Sequence, residues 1–302
     1  MKKINYPEIF TWTEILKRPT QTVADIEATV KEIFSEVAKK GDAAVKKYTN
    51  LFDGVTLDTL QVSETEINSA VVSTELKEAI ALAKSNIEKF HKAQKTEIIS
   101  VETMPGVQCW QEKRAIQKVG LYIPGGSAPL FSTILMLAVP AQLAGCKEVV
   151  LCSPPDKSGN IHPAILYTAK LCGINRIYKV GGIQAIAAMT FGTESIPKVY
   201  KIFGPGNQFV TVAKQLATNF GVAIDMPAGP SELLVYADDT ANAAFVASDL
   251  LSQAEHGTDS QVILVTTSEN LLNAVEIEVT KQLEQLPRKD IASKAIENSK
   301  LI

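Results

Sequence analysis

The residues with the strongest chemical potential lie close together in Gln253-Ala254-Glu255-His256-Gly257-Thr258-Asp259. Gln253 and His256 are three positions apart, so a helix would carry both side chains on one face, the spacing used by paired metal ligands. A helix-terminal histidine before a glycine has a plainer use as well, capping the last carbonyls and complementing the negative end of the helix dipole. Spacing leaves both readings open. The chain has three histidines, and the other two are weaker candidates. His91 sits at the polar end of an amphipathic stretch and His162 in a loop after Asp156-Lys157-Ser158-Gly159-Asn160, and both are expected to be solvated.

A second group of features is backbone chemistry. Pro124-Gly125-Gly126-Ser127, Gly181-Gly182 and Gly204-Pro205-Gly206-Asn207 each follow a short β-branched run and precede an Ala/Leu-rich segment. A glycine turn between strand and helix sets N–H groups and a positive helix end at the C-terminal edge of a sheet, where anions and cofactors bind. None is a G-x-G-x-x-G fingerprint, because Phe209 stands where the third glycine would be. Each loop alone can be a plain turn; three at one edge point to a ligand site, with Tyr122, Gln184 and Asn207 placed to orient a polar ligand. Ser231 ends the stiff segment from Ile224 through Pro227 and Pro230, but lacks the G-x-S-x-G context of a nucleophile. Hydrogen bonding to substrate suits it better than covalent catalysis.

The elements that must hold these groups are legible from periodicity. Apolar residues Ile26, Val30, Ile33, Phe34 and Val37 mark one helical face, ended by Gly41. Leu76, Ile80, Ala83, Ile87 and Phe90 mark another over about 73–92, opposite a face of Lys and Glu. From Trp110 onward the texture is βα repeats, with strands near 119–123, 148–152, 176–180, 198–203 and 223–226 and helices between them. After Ser231 the pattern resumes as strand 232–236, helix 242–255, strand 261–266 and helix 270–286.

Composition narrows the class. In 302 residues, 46% are hydrophobic and 21% charged, as in folded globular chains. Thirty Lys+Arg against thirty-three Asp+Glu give a net charge of -3, with no block of five like charges, so nucleic acid is not an expected partner. The apolar window 134–139 is too short to span a bilayer, so no membrane partner is expected, and the N-terminus has no signal-like apolar stretch. Four sparse cysteines, Cys109, Cys146, Cys152 and Cys172, read as reduced and mostly buried thiols of a cytoplasmic protein.

The run Ile224-Asp225 through Ala228-Gly229-Pro230-Ser231-Glu232-Leu233, with Asp249-Leu250-Leu251-Ser252-Gln253-Ala254-Glu255-His256-Gly257 after it, resembles the signature of the histidinol dehydrogenase family. Tyr122-Ile123-Pro124-Gly125-Gly126-Ser127 and Phe203-Gly204-Pro205-Gly206-Asn207 are similar to its other glycine loops. The resemblance implies an α/β fold of two incomplete Rossmann-like domains with parallel sheets, one inserted in the other, after an N-terminal helical segment. On this chain that gives an arm at 1–20, a discontinuous domain of 21–119 plus 232–302, and an inserted domain at 120–231. The implied reaction is oxidation of L-histidinol to L-histidine through the aldehyde, in histidine biosynthesis, using two NAD in turn and one zinc. The family's working form is a homodimer whose subunits both contribute to each site.

Carried over by motif, Gln253 and His256 match zinc ligands, Ser231 matches a substrate contact alongside them, and Tyr122, Gln184 and Asn207 match the NAD site. The family's catalytic Glu-His pair and its remaining Asp and His zinc ligands match no residue up to Ile302. No catalytic residue is therefore assigned within the chain, and the expectation is that it binds zinc poorly and is inactive as given. A non-catalytic ligand-binding α/β module is the alternative from another class. An enzyme using the glycine loops for a phosphorylated metabolite is a third reading, which leaves Gln253 and His256 unexplained.

Overall fold

A computed structural model describes residues 1–17, 23–125, 129–227, 232–258 and 260–302 of the chain. It divides into two compact units, a central one of Val23–Pro227 and a terminal one combining Met1–Thr22 with Ala228–Ile302.

The terminal unit opens with β1 (Lys2–Lys3), a single 3-10 turn at Ile9–Thr11 and the short helix α1 (Trp12–Ile15). Its two-residue strand is short, yet β1 joins the edge of the sheet described below. The central unit begins with helices α2 (Val23–Lys40) and α3 (Asp42–Asp53), separated by Gly41 at φ 51°. A side chain in that left-handed region is strained, which is why glycine breaks the two helices apart there. Next come α4 (Glu64–Ser69) and α5 (Thr74–Lys92). Ser63 and Glu66 close a reciprocal capping box at the start of α4, and Ser73 accepts the Leu76 N–H at the start of α5.

A hairpin of β2 (Ile99–Met104) and β3 (Val107–Gln111) precedes a five-stranded parallel sheet. The sheet is built from β4 (Lys118–Tyr122), β5 (Glu148–Ser153), β6 (Arg176–Lys179), β7 (Lys201–Phe203) and β8 (Ala223–Ile224). Between them run α6 (Phe131–Ala144), α7 (Pro163–Leu171), α8 (Gly182–Phe191) and α9 (Gln208–Thr218). The strand order is β6-β5-β4-β7-β8, so the chain turns back at β4, and the crevice over the carboxyl ends of its strands is the expected ligand position. Residues 60–62 cover the free edge of β6, where Lys179 N–H donates to Leu60 and Val62 N–H to Ile177.

Two hydrophobic clusters hold this unit. On one face α2 and α3 bring Val30, Phe34 and Tyr48 against Ile186, Met189 and Val210 of α8 and α9. On the other, Ile67 and Ile80 of α4 and α5 pack with Ile134 and Leu135 of α6 and Ile165 of α7. The N-terminal helices thus extend both helical layers of the middle sheet. This differs from the expected grouping of 21–119 with 232–302. An amphipathic stripe shows that a helix covers a sheet, not which of two sheets it covers.

The terminal unit continues with β9 (Glu232–Ala237), α10 (Ala243–Ala254), β10 (Gln261–Thr266), α11 (Glu269–Leu283), α12 (Lys289–Glu297) and β11 (Lys300–Leu301). Its four strands, all parallel, lie in the order β1-β11-β10-β9, and the first residues of the chain are tied in by the Lys3–Glu276 ion pair at 2.6 Å. Leu250, Val262, Leu264 and Val275 lie in its core. The sequence left α12 and β11 unassigned, since the short 289–297 segment is flanked by no strong cap.

Candidate active site

The C-terminal edge of the five-stranded sheet opens on a cavity of about 1140 Å³. Its walls come from the ends of four of the five strands and the segments after them. Pro124 and Gly125 follow β4, Ser153 ends β5 and Pro154 to Asp156 follow it, Gly182 to Gln184 follow β6, and Asn207 and Phe209 follow β7. Phe52 and Asp53 at the end of α3, with Glu66 and Ser69 of α4, line it as well.

The loops interlock, which fixes the groups they carry. Pro154 packs so tightly between neighbours that a Cβ on Gly181 would lie 2.5 Å from its own Cβ, and one on Gly125 2.4 Å from its Cγ. Gly204, at φ 136°, sits against the Tyr122 carbonyl, where a Cβ would come within 2.1 Å of the oxygen. These glycines permit close approach of backbones, in addition to turning the chain.

Three residues expected at a cofactor site meet here. Tyr122, Gln184 and Asn207 all line the cavity. Tyr122 Oη accepts the Gly182 N–H at 3.1 Å, leaving its own proton to be donated elsewhere, and burial pushes the phenol up to about 12. It is therefore a neutral donor at physiological pH. Asn207 caps α9, its Oδ1 accepting the Val210 N–H at 3.1 Å, which leaves the amide NH₂ as its donor. Gln184 is 1% exposed, and among the described residues neither Oε1 nor Nε2 has a hydrogen-bond partner. A buried amide without partners costs stability, so this side chain fits a site whose polar ligand completes it.

The glycine loop after β7 is clamped by two residues to which the sequence reading assigned no role. Gly204 donates its N–H to Asp225 Oδ2 at 2.8 Å, and Lys214 Nζ donates to the Gly204 carbonyl at 2.7 Å. Lys214 and Asp225 also form an ion pair. Asp225 stands inside the motif that runs from Ile224 to Leu233, and that position is its only signal in the sequence. Asp53, a lining residue that the sequence does not single out, has a buried Oδ2 with no partner among the described residues, and desolvation raises its carboxyl to about 6.

Gln253 and His256 lie in the terminal unit. Gln253 is in the last turn of α10, and His256 follows it, exposed, with its N–H on the Gln253 carbonyl at 3.2 Å. Ser231 lies outside the described residues. Among the described residues no group of three or more His, Cys, Asp or Glu is arranged to hold a metal ion. His162 is exposed as expected, but it also works structurally: Nδ1 accepts the Ala164 N–H at 3.1 Å at the start of α7, and the residue lines the cavity. Cys152 and Cys172 are buried and Cys146 half-buried, whereas Cys109 is exposed on the hairpin.

A family model described as histidinol dehydrogenase matches residues 16–302, nearly the whole chain. The chain belongs to the histidinol dehydrogenase family. It is 61% identical over 304 residues to the histidinol dehydrogenase of Bacteroides thetaiotaomicron, covering 100% of this chain and 71% of that protein. The Pasteurella multocida histidinol dehydrogenase is 56% identical over 94% of this chain and 66% of its own length. The crystal structure of histidinol dehydrogenase from Elizabethkingia anophelis superposes with a TM-score of 0.94 at 59% identity, over all of this chain and 70% of that one. This membership makes the fold α/β with parallel sheets and the chemistry that of an oxidoreductase acting on a small molecule. An NAD-dependent aldehyde dehydrogenase from Sinorhizobium meliloti matches at 13% identity with a TM-score of 0.50 over 89% of this chain and 50% of its own, a likeness of fold. None of these matches supports a non-catalytic module. No helix among the described residues is long and apolar enough to cross a membrane.

Proposed function

We propose that the cavity over β4 is the NAD site of an L-histidinol-oxidising protein and that Tyr122, Gln184 and Asn207 bind the dinucleotide. The observation that carries this reading is Gln184, whose buried amide has no partner among the described residues beside a cavity large enough for a dinucleotide half. NAD would supply the hydride acceptor. The chain's own groups bind and orient it. Tyr122 donates its hydroxyl proton, Asn207 donates from its amide, and Gln184 offers both a donor and an acceptor. The rigid contacts among Pro154, Gly181 and Gly125 keep these groups in fixed positions, so ordering them costs little when the ligand arrives.

In the terminal unit Gln253 and His256 suit zinc in kind, an imidazole nitrogen and an amide oxygen on one helix end. In number they make at most half of the four-coordinate shell that zinc takes. Together with Ser231 they are assigned to the substrate. Positioning the imidazole and amine of histidinol is the role this set is suited to, and no proton transfer is assigned to it. A homodimeric state and a cytoplasmic location follow from the same family reading.

Titration of the 302-residue chain with NAD, followed by saturation-transfer NMR on the adenine protons, tests the assignment. Binding in the millimolar range or tighter, lost in Gln184→Leu with the fold retained by circular dichroism, is the expected result. NAD binding unchanged in Gln184→Leu would remove the cavity from the cofactor's path.

A further inference from the structure

Gly204 answers two demands that conflict. It lies so close to the Tyr122 carbonyl that no side chain fits there, yet glycine is the residue with the most backbone freedom to lose. Tyr122, which it touches, and Asn207, at the end of its loop, both line the cavity. A loose Gly204 would let the ligand groups around it drift.

Two charged side chains remove that freedom. Asp225 follows β8, and its own N–H is tied to the Ile202 carbonyl of β7 at 3.2 Å. From that fixed point Oδ2 accepts the Gly204 N–H at 2.8 Å, while Lys214, within α9, donates to the Gly204 carbonyl at 2.7 Å. These bonds hold the two peptide planes that flank the Gly204 Cα, so together they set both of its dihedral angles. Farther along, the Pro205 ring fixes its own φ, and a Cβ on Gly206 would lie 2.5 Å from the Val210 Cβ. Asn207 is bound in turn to the Val210 N–H. The loop is pinned along its whole length, and the ion pair is the anchor at its start.

Neither Lys214 nor Asp225 is among the described residues that line the cavity, so any effect on a ligand passes through the loop. Lys214 is buried and paired with Asp225. A pair of this kind adds little stability over apolar side chains of similar volume, which leaves geometry as its distinctive contribution. We propose that Lys214 and Asp225 are positioning residues for the ligand of this cavity, locking Gly204 so that the Asn207 amide meets the ligand already oriented. This inference rests on the reading of the cavity as the NAD site.

NAD titration of the 302-residue chain by saturation-transfer NMR tests it, under conditions where circular dichroism shows every variant folded. Lys214→Met is expected to weaken NAD binding about tenfold, the order of loss when a ligand must itself order a loop. The double variant Lys214→Met with Asp225→Asn leaves no uncompensated charge, should show the same loss, and covers the case of a single variant that does not fold. Ile80→Ala is the control, a truncation in the other hydrophobic cluster that destabilises by packing alone and should bind NAD within about twofold of wild type. A second readout needs no ligand: the Asn207 side-chain amide should give one pair of NMR signals in wild type and Ile80→Ala, and broadened or multiple signals in the Lys214 variants. If the Lys214 variants bind NAD no more weakly than Ile80→Ala while Gln184→Leu loses it, the pair serves stability alone and the proposal is overturned with the cavity reading intact. If wild type binds no NAD, the cavity reading fails and this inference fails with it.

Discussion

Lys214 and Asp225 hold one peptide between them: the Gly204 N–H goes to Asp225 and the Gly204 carbonyl to Lys214, while the two side chains are ion-paired. Lys214 is 4% exposed, so these partners take the place of water around its ammonium group. Removing one partner of a buried pair leaves the other uncompensated, at a cost of roughly 3 kcal/mol. Lys214→Met and Asp225→Asn should each lower the urea midpoint, and the double variant should lose less than the sum of the two. A double-mutant cycle by urea denaturation measures this. Strict additivity would show that the pair acts as two separate groups.

Tyr122 links β4 to α8 through the Gly182 N–H, and its proton remains available to a ligand. Tyr122→Phe removes both functions while keeping the ring in the core. The folded protein should lose about 1 kcal/mol, and NAD affinity should drop by about tenfold. Urea denaturation and NAD titration on the same preparation separate the two effects. Loss of stability with unchanged NAD affinity would make Tyr122 a structural residue only.

The sequence was informative where chemistry follows from local pattern. The strands at 118–122, 148–153 and 261–266, and the helix 74–92, fall where alternation and the 3.6-residue period place them. The convergence of three glycine loops was legible as well, since strand-glycine-helix units on a parallel sheet share an edge. What escaped was long-range. The helices 23–40 and 42–53 pack on the middle sheet because their stripe meets α8 and α9, and a stripe carries no address. Asp53 and Gln184 show the same limit from the ligand side. Neither a carboxylate before a glycine nor an amide in an Ile-Ala helix reveals in sequence that Asp53 Oδ2 and both amide atoms of Gln184 end up buried and, among the described residues, unpartnered. The hairpin 99–111 was missed because all its residues are exposed, so no period-2 burial pattern marks it.

Asp53 should also make stability depend on pH. Desolvation raises its carboxyl from 3.8 to about 6 in the folded state. Between those values the folded chain holds a proton that the unfolded chain has released, so this group's contribution falls as pH rises through the window and is constant above it. Solvent reaches part of the side chain, which reduces the effect to about 1 kcal/mol. Asp53→Asn should therefore gain on wild type by that amount between pH 4 and pH 7, read as the difference in unfolding free energy at each pH. A difference independent of pH would mean that Asp53 titrates normally.

Zinc uptake distinguishes the two readings of the α10 end. If His256 only caps the helix, its imidazole satisfies carbonyls and zinc should be indifferent to its removal. Yet the hydrogen bond given to the Gln253 carbonyl comes from the His256 backbone N–H, and the imidazole is exposed and available to an ion. His256→Ala should therefore weaken zinc binding more than Gln253→Ala, because an imidazole nitrogen is the better zinc donor of the two. Competition against a chromophoric chelator at fixed pH gives both affinities. His256→Ala should leave thermal stability within about 0.5 kcal/mol, as expected for an exposed side chain outside the core. A large stability loss with unchanged zinc affinity would return His256 to the capping role.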